Sequence, residues 1–576
     1  MPHRLDPGEK RIQALAWLVL FSVFLLVLAL FRFQILQSDK YINLAAQNRL
    51  RFIRLPPSRG DIVDANGAIL ATSMKVFDLI GYPQDLLKDE SINILERVFL
   101  RHGIPFTKDK IKATIKKQYS VPYNAVTVLS NLTIAQVSDL VSDPEYPEFL
   151  YPLPVMRRVY PTGNLLPHVL GYVGEITKEE LESLGGKGYR GGDIIGKAGV
   201  ELIYEDQLRG EYGEEAIEVD ARGRRVRVVD RKEPVPGDRI ALTIDLNAQS
   251  YAASLLGDRK GVVFAMDVRN GDVKVLYSYP GYDPNALAWG LSSKEWALML
   301  KDKDKPMMNR TISGTYPPAS TYKLLTAYAA LAEKKITPST TYYCPGAFKL
   351  GNRTFRCWKT TGHGTVNLEK AIRESCDVYF YQVGLKTGID AITFWSRKFG
   401  LGSPTGIDLP GEASGLVADP VWKKRVFNES WYPGDTVNYS IGQGFLLTTP
   451  IQMARVFAAI ANGGKLVRPR LHAGRAVEVD DLGLSDRFLK ILRNALYQVV
   501  KSGTGRLAGG YGVEVSGKTG TAQNPHGEDH AWFVGYAPSK KPEYVAVALV
   551  EGGGHGSSAA APIVGQVLSF LCRGPR

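Results

Sequence analysis

One apolar run stands apart from the rest of the chain. Ala14 to Phe31 is 18 residues without a charge and with a single polar residue, Ser22. At ~1.5 Å per residue, a helix of this stretch with Ile12 and Gln13 about reaches the ~30 Å hydrocarbon thickness of a bilayer. A cleaved signal sequence has a shorter apolar region, ~7–15 residues, with small residues at its cleavage site. Here the chain continues Phe31-Arg32-Phe33-Gln34, which is bulky. The pattern predicts an uncleaved anchor over residues 12–33 behind a short tail, residues 1–11. Without a second such run, a multi-span transporter is excluded. Flanking charge does not orient the anchor: His3, Arg4, Lys10 and Arg11 precede it, and Arg32, Lys40, Arg49 and Arg51 follow.

Beyond the anchor the periodicity changes repeatedly. Residues 34–55 keep helical spacing (Ile35, Leu36, Tyr41, Leu44) until Pro56-Pro57 stops it. Asp61 to Gly67 reads as a strand entering an Asn-Gly turn, and residues 68–235 mix short strands, short helices and glycine loops. A boundary falls at Pro234-Val235-Pro236-Gly237-Asp238. After it, 262–266 and 273–277 read as a hairpin around Asn270-Gly271. Helical patterns follow at 320–334, 366–387, 449–462 and 485–502. Strands are expected near 511–516, 531–536 and 543–551, and an apolar helix at 562–571. Strands at both ends of a helical middle predict an α+β domain over 237–576, preceded by a mixed domain over 34–236.

Composition narrows the class only a little. Hydrophobic residues are 44% and charged residues 22% of 576, ordinary for globular chains, which excludes bulk disorder and a collagen-like fibre. The net charge of +13 suits an anionic partner without choosing among nucleic acid, lipid and an anionic polymer. Four cysteines are too few for a disulfide scaffold.

Candidate chemistry sits in three short segments. Ser320-Thr321-Tyr322-Lys323 follows Pro317-Pro318-Ala319 at a predicted helix start. Serine and lysine three residues apart share one helix face. A serine hydroxyl is a weak nucleophile until a base takes its proton, and a lysine serves only if burial or nearby cations lower its pKa. By itself this pair also reads as a capping serine with a solvated lysine. Lys518-Thr519-Gly520-Thr521 follows a β-pattern: Lys518 can bind a substrate carboxylate and lower the pKa of Lys323, Gly520 permits close approach to the backbone, and the N–H groups of Ser320 and Thr521 can serve as oxyanion donors. Between them, Ser375-Cys376-Asp377 offers a hydroxyl that can relay a proton to a leaving amine. In this order the three match the signatures of serine β-lactamases and penicillin-binding proteins.

A second cluster overlaps the middle segment. Cys344, Cys357, His363 and Cys376 form C-x12-C-x5-H-x12-C, a complete Cys₃His set for a closed, structural zinc. A disulfide with one free thiol, or unrelated buried thiols, remain open on spacing alone.

On these motifs the chain resembles the class B penicillin-binding proteins, peptidoglycan D,D-transpeptidases, over nearly its whole length. Further matches are Pro57 to Ile62 with Asp64-Ala65-Asn66-Gly67, Arg158-Val159-Tyr160-Pro161, Gly196 to Glu201, and Leu242 to Asp245. Aspartate at 377, where asparagine is commoner, resembles the elongation-specific penicillin-binding protein 2 type. It cannot donate an amide hydrogen and is suited to pair with Lys323. The resemblance implies a pedestal domain and a transpeptidase domain. It implies a single-pass protein of the inner (cytoplasmic) membrane with its catalytic domain in the periplasm. It implies stem peptides of peptidoglycan as substrate, β-lactams as inhibitors that trap Ser320, and a SEDS-type (RodA-like) glycosyltransferase as membrane partner, with no nucleic acid involved. A zinc near this position also occurs in that branch, matching Cys357, His363 and Cys376 by spacing, with Cys344 the weakest match. Septal cross-linking, a β-lactam receptor and a scaffold that mainly regulates a polymerase are the competing readings. Elsewhere, Trp532 is expected in the core, Arg59 and Arg158 in structural ion pairs, and Gly442-Gln443-Gly444 outside any phosphate site. His555 and Cys572 are assigned no chemistry.

Overall fold

The computed structural model describes residues 7–41, 50–118, 125–219, 225–525 and 527–573. Two compact units divide the chain: residues 1–58 with 210–236, and residues 59–209 with 237–576.

The first unit carries the anchor. Pro7–Phe31 is one α-helix whose apolar side chains are exposed all round. Lys10–Leu36 is the one stretch, among the described residues, long and apolar enough to cross a membrane. Helical spacing was expected to run on to residue 55. Instead Leu50–Leu55 is a strand, the edge of a three-stranded antiparallel sheet with Gly213–Val219 and Arg225–Lys232. The polar-apolar-apolar-polar run Arg51-Phe52-Ile53-Arg54 does not mark a strand by itself, and pairing with a distant segment decides for one. Residues 42–49 of that expectation lie outside the described residues.

The second unit begins with the predicted Asn-Gly hairpin. Asp64 Oδ1 accepts from the N–H groups of Asn66 and Ala68 at 2.8 Å each, and Gly67 takes φ +88°. Behind it, Glu201 is fully buried. Arg59 Nε and Arg158 Nε donate to its two carboxylate oxygens at 2.5 and 2.6 Å, and Tyr160 OH lies 3.3 Å away. Burial works against this charge, but Arg158 and Arg59 outweigh it and hold the carboxyl below the usual glutamate range. The two arginines are therefore structural, as expected.

Within this unit a mixed five-stranded sheet gathers Ile62–Val63, Ile69–Gly81, Val126–Leu132, Leu150–Val159 and Ile240–Ala241, and residues 261–550 contribute a second, antiparallel five-stranded sheet. Its strands are β1 (Gly261–Asp267), β2 (Val273–Tyr279), β3 (Ser516–Ala522), β4 (His530–Ala537) and β5 (Tyr544–Val550), in spatial order β2-β1-β5-β4-β3. The helices that matter here are α1 (Leu246–Leu256), α2 (Lys323–Ala332), α3 (Leu368–Arg373), α4 (Asp377–Thr387), α5 (Asp486–Ser502) and α6 (Ala561–Arg573). Alternation on β5 explains the layering. Ala546, Ala548 and Val550 face the cluster containing α1 and α6, where small residues let helices lie close. Val545, Val547 and Leu549 face the larger core that holds α2 and Trp532. The residues of α2 from Lys323 to Leu331 are all buried, so it is the central helix of the domain.

Two expectations shift. The strand placed near 511–516 runs at 516–522. The single helix expected at 366–387 is two, broken at Glu374-Ser375-Cys376.

Candidate active site

The helix break builds the site. At the end of α3 the Ser375 N–H donates to Ile372 O and the Cys376 N–H to Ala371 O, at 3.2 and 2.9 Å. This is a Schellman motif, whose left-handed position usually holds glycine. Here that position is Ser375, with φ +56°. The turn thrusts the Ser375 side chain sideways and starts α4 at once with Asp377.

Ser320 lies on a 3₁₀ turn, Ala319–Tyr322, immediately before α2. Ala319 is a second non-glycine residue in the left-handed region, φ +49°, tied by its N–H to Gly442 O at 2.9 Å. The expected helix thus opens with a tighter turn, which puts Lys323 at the first position of α2, fully buried.

Lys518 and Thr519 come from β3, the edge strand facing this region. Lys518 Nζ donates to Ser375 Oγ at 2.9 Å, and Lys323 Nζ lies 3.3 Å from the same oxygen. Lys323 Nζ also donates to Ser375 O at 2.8 Å and pairs with Asp377 Oδ1 at 2.7 Å. Thr519 Oγ1 is 2.7 Å from Thr504 Oγ1. Gly520 lines the cleft, and a Cβ there would sit 3.1–3.2 Å from Trp532 Cβ, Pro318 O and Thr321 Cγ2, so its lack of a side chain also lets the strand lie close to the nucleophile turn.

Ser320, Ser375, Asp377, Thr519, Gly520 and Thr521 all line one cleft of about 580 Å³. Two buried amines flank one hydroxyl, and one carboxylate pairs with one of them, Lys323. Burial, and then the charge of Lys323, push the Lys518 amine well below the usual lysine range, against the opposing pull of Asp377. A neutral amine hydrogen-bonded to a hydroxyl can pass a proton through it. The cleft therefore holds a nucleophile candidate, a proton path and polar groups for a carboxylate on one wall.

The cysteine cluster stands directly behind this wall. One ligand atom from each of Cys344, Cys357, His363 and Cys376 lies within 4.8 Å of the others, and all four residues are buried. All three cysteines are free thiols. His363 turns Nδ1 toward the sulfurs, 3.6 Å from Cys344 Sγ and 3.5 Å from Cys357 Sγ. A thiolate and an imidazole nitrogen bound tetrahedrally to zinc, with bonds of ~2.3 and ~2.0 Å, are separated by ~3.6 Å. The donor set and its spacing fit that metal. The Cys357 thiol is pulled below the usual thiol range, chiefly by its hydrogen bond with Cys376.

Other cleft residues left no usable signal in the sequence. Gln443 lines the cleft and donates to Thr521 O at 3.3 Å. The Gly-Gln-Gly loop is thus a support for the nucleophile: a Cβ on Gly442 would lie 2.2 Å from Ala319 O. Thr504, Trp358, Asp529 and His555 also line the cleft. Trp532 is in the core, as expected.

A family model described as the penicillin binding protein transpeptidase domain matches residues 261–569, and one described as the penicillin-binding protein dimerisation domain matches 54–242. A peptidoglycan D,D-transpeptidase MrdA of Haemophilus influenzae is 36% identical, over 99% of this chain and 93% of the relative. Among solved structures, a penicillin-binding protein PBP2 of Helicobacter pylori in complex with MreC has a TM-score of 0.82 at 33% identity, covering 91% of this chain and 99% of that one. A chain of a peptidoglycan synthase complex, titled for its structural coordination of polymerization and crosslinking, has a TM-score of 0.76 at 30% identity, covering 98% and 99%.

Proposed function

This chain belongs to the class B penicillin-binding proteins of the peptidoglycan D,D-transpeptidase type, and from that premise we propose how its own residues carry out the cross-linking reaction of cell-wall elongation. Ser320 Oγ attacks the carbonyl carbon of the penultimate D-Ala of a donor stem peptide. Lys323 first gives a proton through Ser375 Oγ to the neutral Lys518 and then, as the free amine, takes the proton of Ser320. The N–H groups of Ser320 and Thr521 stabilise the developing oxyanion. The C–N bond then breaks, and the leaving amine of terminal D-Ala takes a proton through Ser375, the hydroxyl shared by Lys518 and Lys323. An amine on a neighbouring strand attacks the acyl-enzyme, forms the cross-link and frees Ser320. Thr519 and Thr521 hold the donor carboxylate. Asp377 keeps Lys323 in place. The observation that carries this reading is the single hydroxyl, Ser375 Oγ, within hydrogen-bond reach of both buried amines at the wall of the cleft that Ser320 lines.

Zinc, when bound by Cys344, Cys357, His363 and Cys376, supplies a closed structural cross-link and leaves the acyl chemistry to the protein. The anchor helix, residues 12–33, supports a single-pass location with residues 34–236 as pedestal and 237–576 as catalytic domain on the periplasmic side of the inner membrane. The likeness to a synthase complex of polymerization and crosslinking supports a membrane glycosyltransferase of the RodA-like type as partner. β-Lactams, which mimic the donor, would acylate Ser320. The test is reconstitution with lipid-linked disaccharide pentapeptide and such a polymerase: cross-linked muropeptides should form with the wild type and vanish with Ser320→Ala. Polymer without cross-links in both would overturn the enzymatic reading.

A further inference from the structure

The left-handed turn at Ser375 has a support that the acyl-transfer motifs do not include. Trp358 follows the cluster ligand Cys357 in sequence. Its indole Nε1–H is shared between two carbonyls, Glu374 O at 3.0 Å and Ser375 O at 3.1 Å. Glu374 O is one of the orphan acceptors at a helix C-terminus, which need a partner. The backbone N–H of the same tryptophan donates to Asp377 Oδ2 at 2.9 Å, on the opposite side of that carboxylate from Lys323. The ring meets His363 edge-on, with centroids 5.5 Å apart. One residue therefore grips both functional positions of the middle motif, while its neighbour belongs to the cysteine cluster.

We propose that Trp358 is a positioning residue of the acyl-transfer site, whose indole N–H fixes the turn that presents the Ser375 hydroxyl to Lys518 and Lys323. A serine at φ +56° is costly by itself, so neighbours must hold it. The Ser375 carbonyl has two donors that do so, Lys323 Nζ and the indole. Lys323 is also committed to Asp377, whereas the indole N–H serves this turn alone, through Glu374 O and Ser375 O. Removing it lets the turn relax, and Ser375 Oγ then drifts from the amines. Shifts of this size cost more in reaction than in binding. The inference rests on the roles proposed above for Ser320 and Ser375.

Trp358 also lines the cleft and is 59% exposed, so contact with the bound ligand is the rival role. Binding and acylation steps separate the two. The full-length protein in detergent is labelled with a fluorescent penicillin, and the binding constant and first-order acylation constant are resolved. Two variants are compared: Trp358→Phe, and position 358 carrying benzothienylalanine, which keeps the two-ring shape without the N–H. Both should lower the acylation constant on the order of ten-fold, the effect of one ordinary hydrogen bond. The binding constant should stay within roughly two-fold, as expected when an interaction serves only the transition state. An unchanged acylation constant, or a loss confined to binding, overturns the inference. If Trp358→Phe fails to fold, the benzothienylalanine protein decides. Labelling that survives Ser320→Ala would instead overturn the reading of the site.

Discussion

Ser375 pairs a functional side chain with a backbone angle that only glycine adopts freely. An L-residue in that region costs ~1–2 kcal/mol, which Ser375→Gly removes together with the hydroxyl, while Ser375→Ala removes the hydroxyl alone. Both variants should lose most β-lactam acylation, and the glycine variant should be more stable than the alanine variant by ~1 kcal/mol in denaturant titration. Equal stability would mean that the turn is not strained. Lys518 makes a second claim at this scale. Its active form is the neutral amine, whose population grows as pH rises through its pKa. Since burial and Lys323 depress that pKa, the acylation rate should rise with pH and level off well below the ~10.4 of an ordinary lysine. A limb that titrates only near that value would contradict the assignment. The residues of the three motifs were legible in the sequence because their chemistry is specific. Trp358 and Gln443 were not, because each acts through a backbone partner that only the fold brings near.

Among the elements, those with plain alternation were readable. The hairpin of β1 and β2 and the strands β4 and β5 alternate residues between two buried layers, and they fall where expected. β3 was misplaced by a few residues because Ser516 to Ala522 carries no apolar alternation, whereas Val513 and Val515 before it do. The break between α3 and α4 was invisible because serine stands where a glycine would have signalled it. Two elements carry predictions of stability. Glu201→Gln leaves two arginines facing a neutral amide in a buried site, and should cost ~3–5 kcal/mol, read as a drop in thermal midpoint. The wild-type carboxylate has a pKa below the usual ~4.3. Its contribution is fully present above that value and is lost as pH falls through the lower folded value. The cysteine cluster makes the other prediction. Cys357→Ser should release the zinc proposed for the cluster and lower both the thermal midpoint and the acylation rate. Metal analysis showing full zinc loss with unchanged acylation would refute its mechanical link to Ser375 and Asp377.

For the whole molecule, the apolar N-terminal helix was the easiest feature to read, since a run of 18 uncharged, exposed residues has the length and composition to cross a bilayer. Alkaline carbonate should leave the chain in the membrane pellet, and deletion of residues 1–33 should release it. The existence of an α+β domain followed from the order of patterns. The site did not follow from patterns alone: Ser320, Ser375 and Lys518 are far apart in sequence, and their meeting depends on the edge strand β3 lying against the nucleophile turn. Motif resemblance bridged that gap.

The most direct test is peptide mapping by mass spectrometry after brief exposure of the full-length protein to a penicillin. The account requires one covalent penicilloyl adduct, on the peptide containing Ser320, absent from Ser320→Ala and prevented by prior treatment with a second β-lactam. An adduct on any other residue, or a protein that stays unmodified while correctly folded, would contradict it.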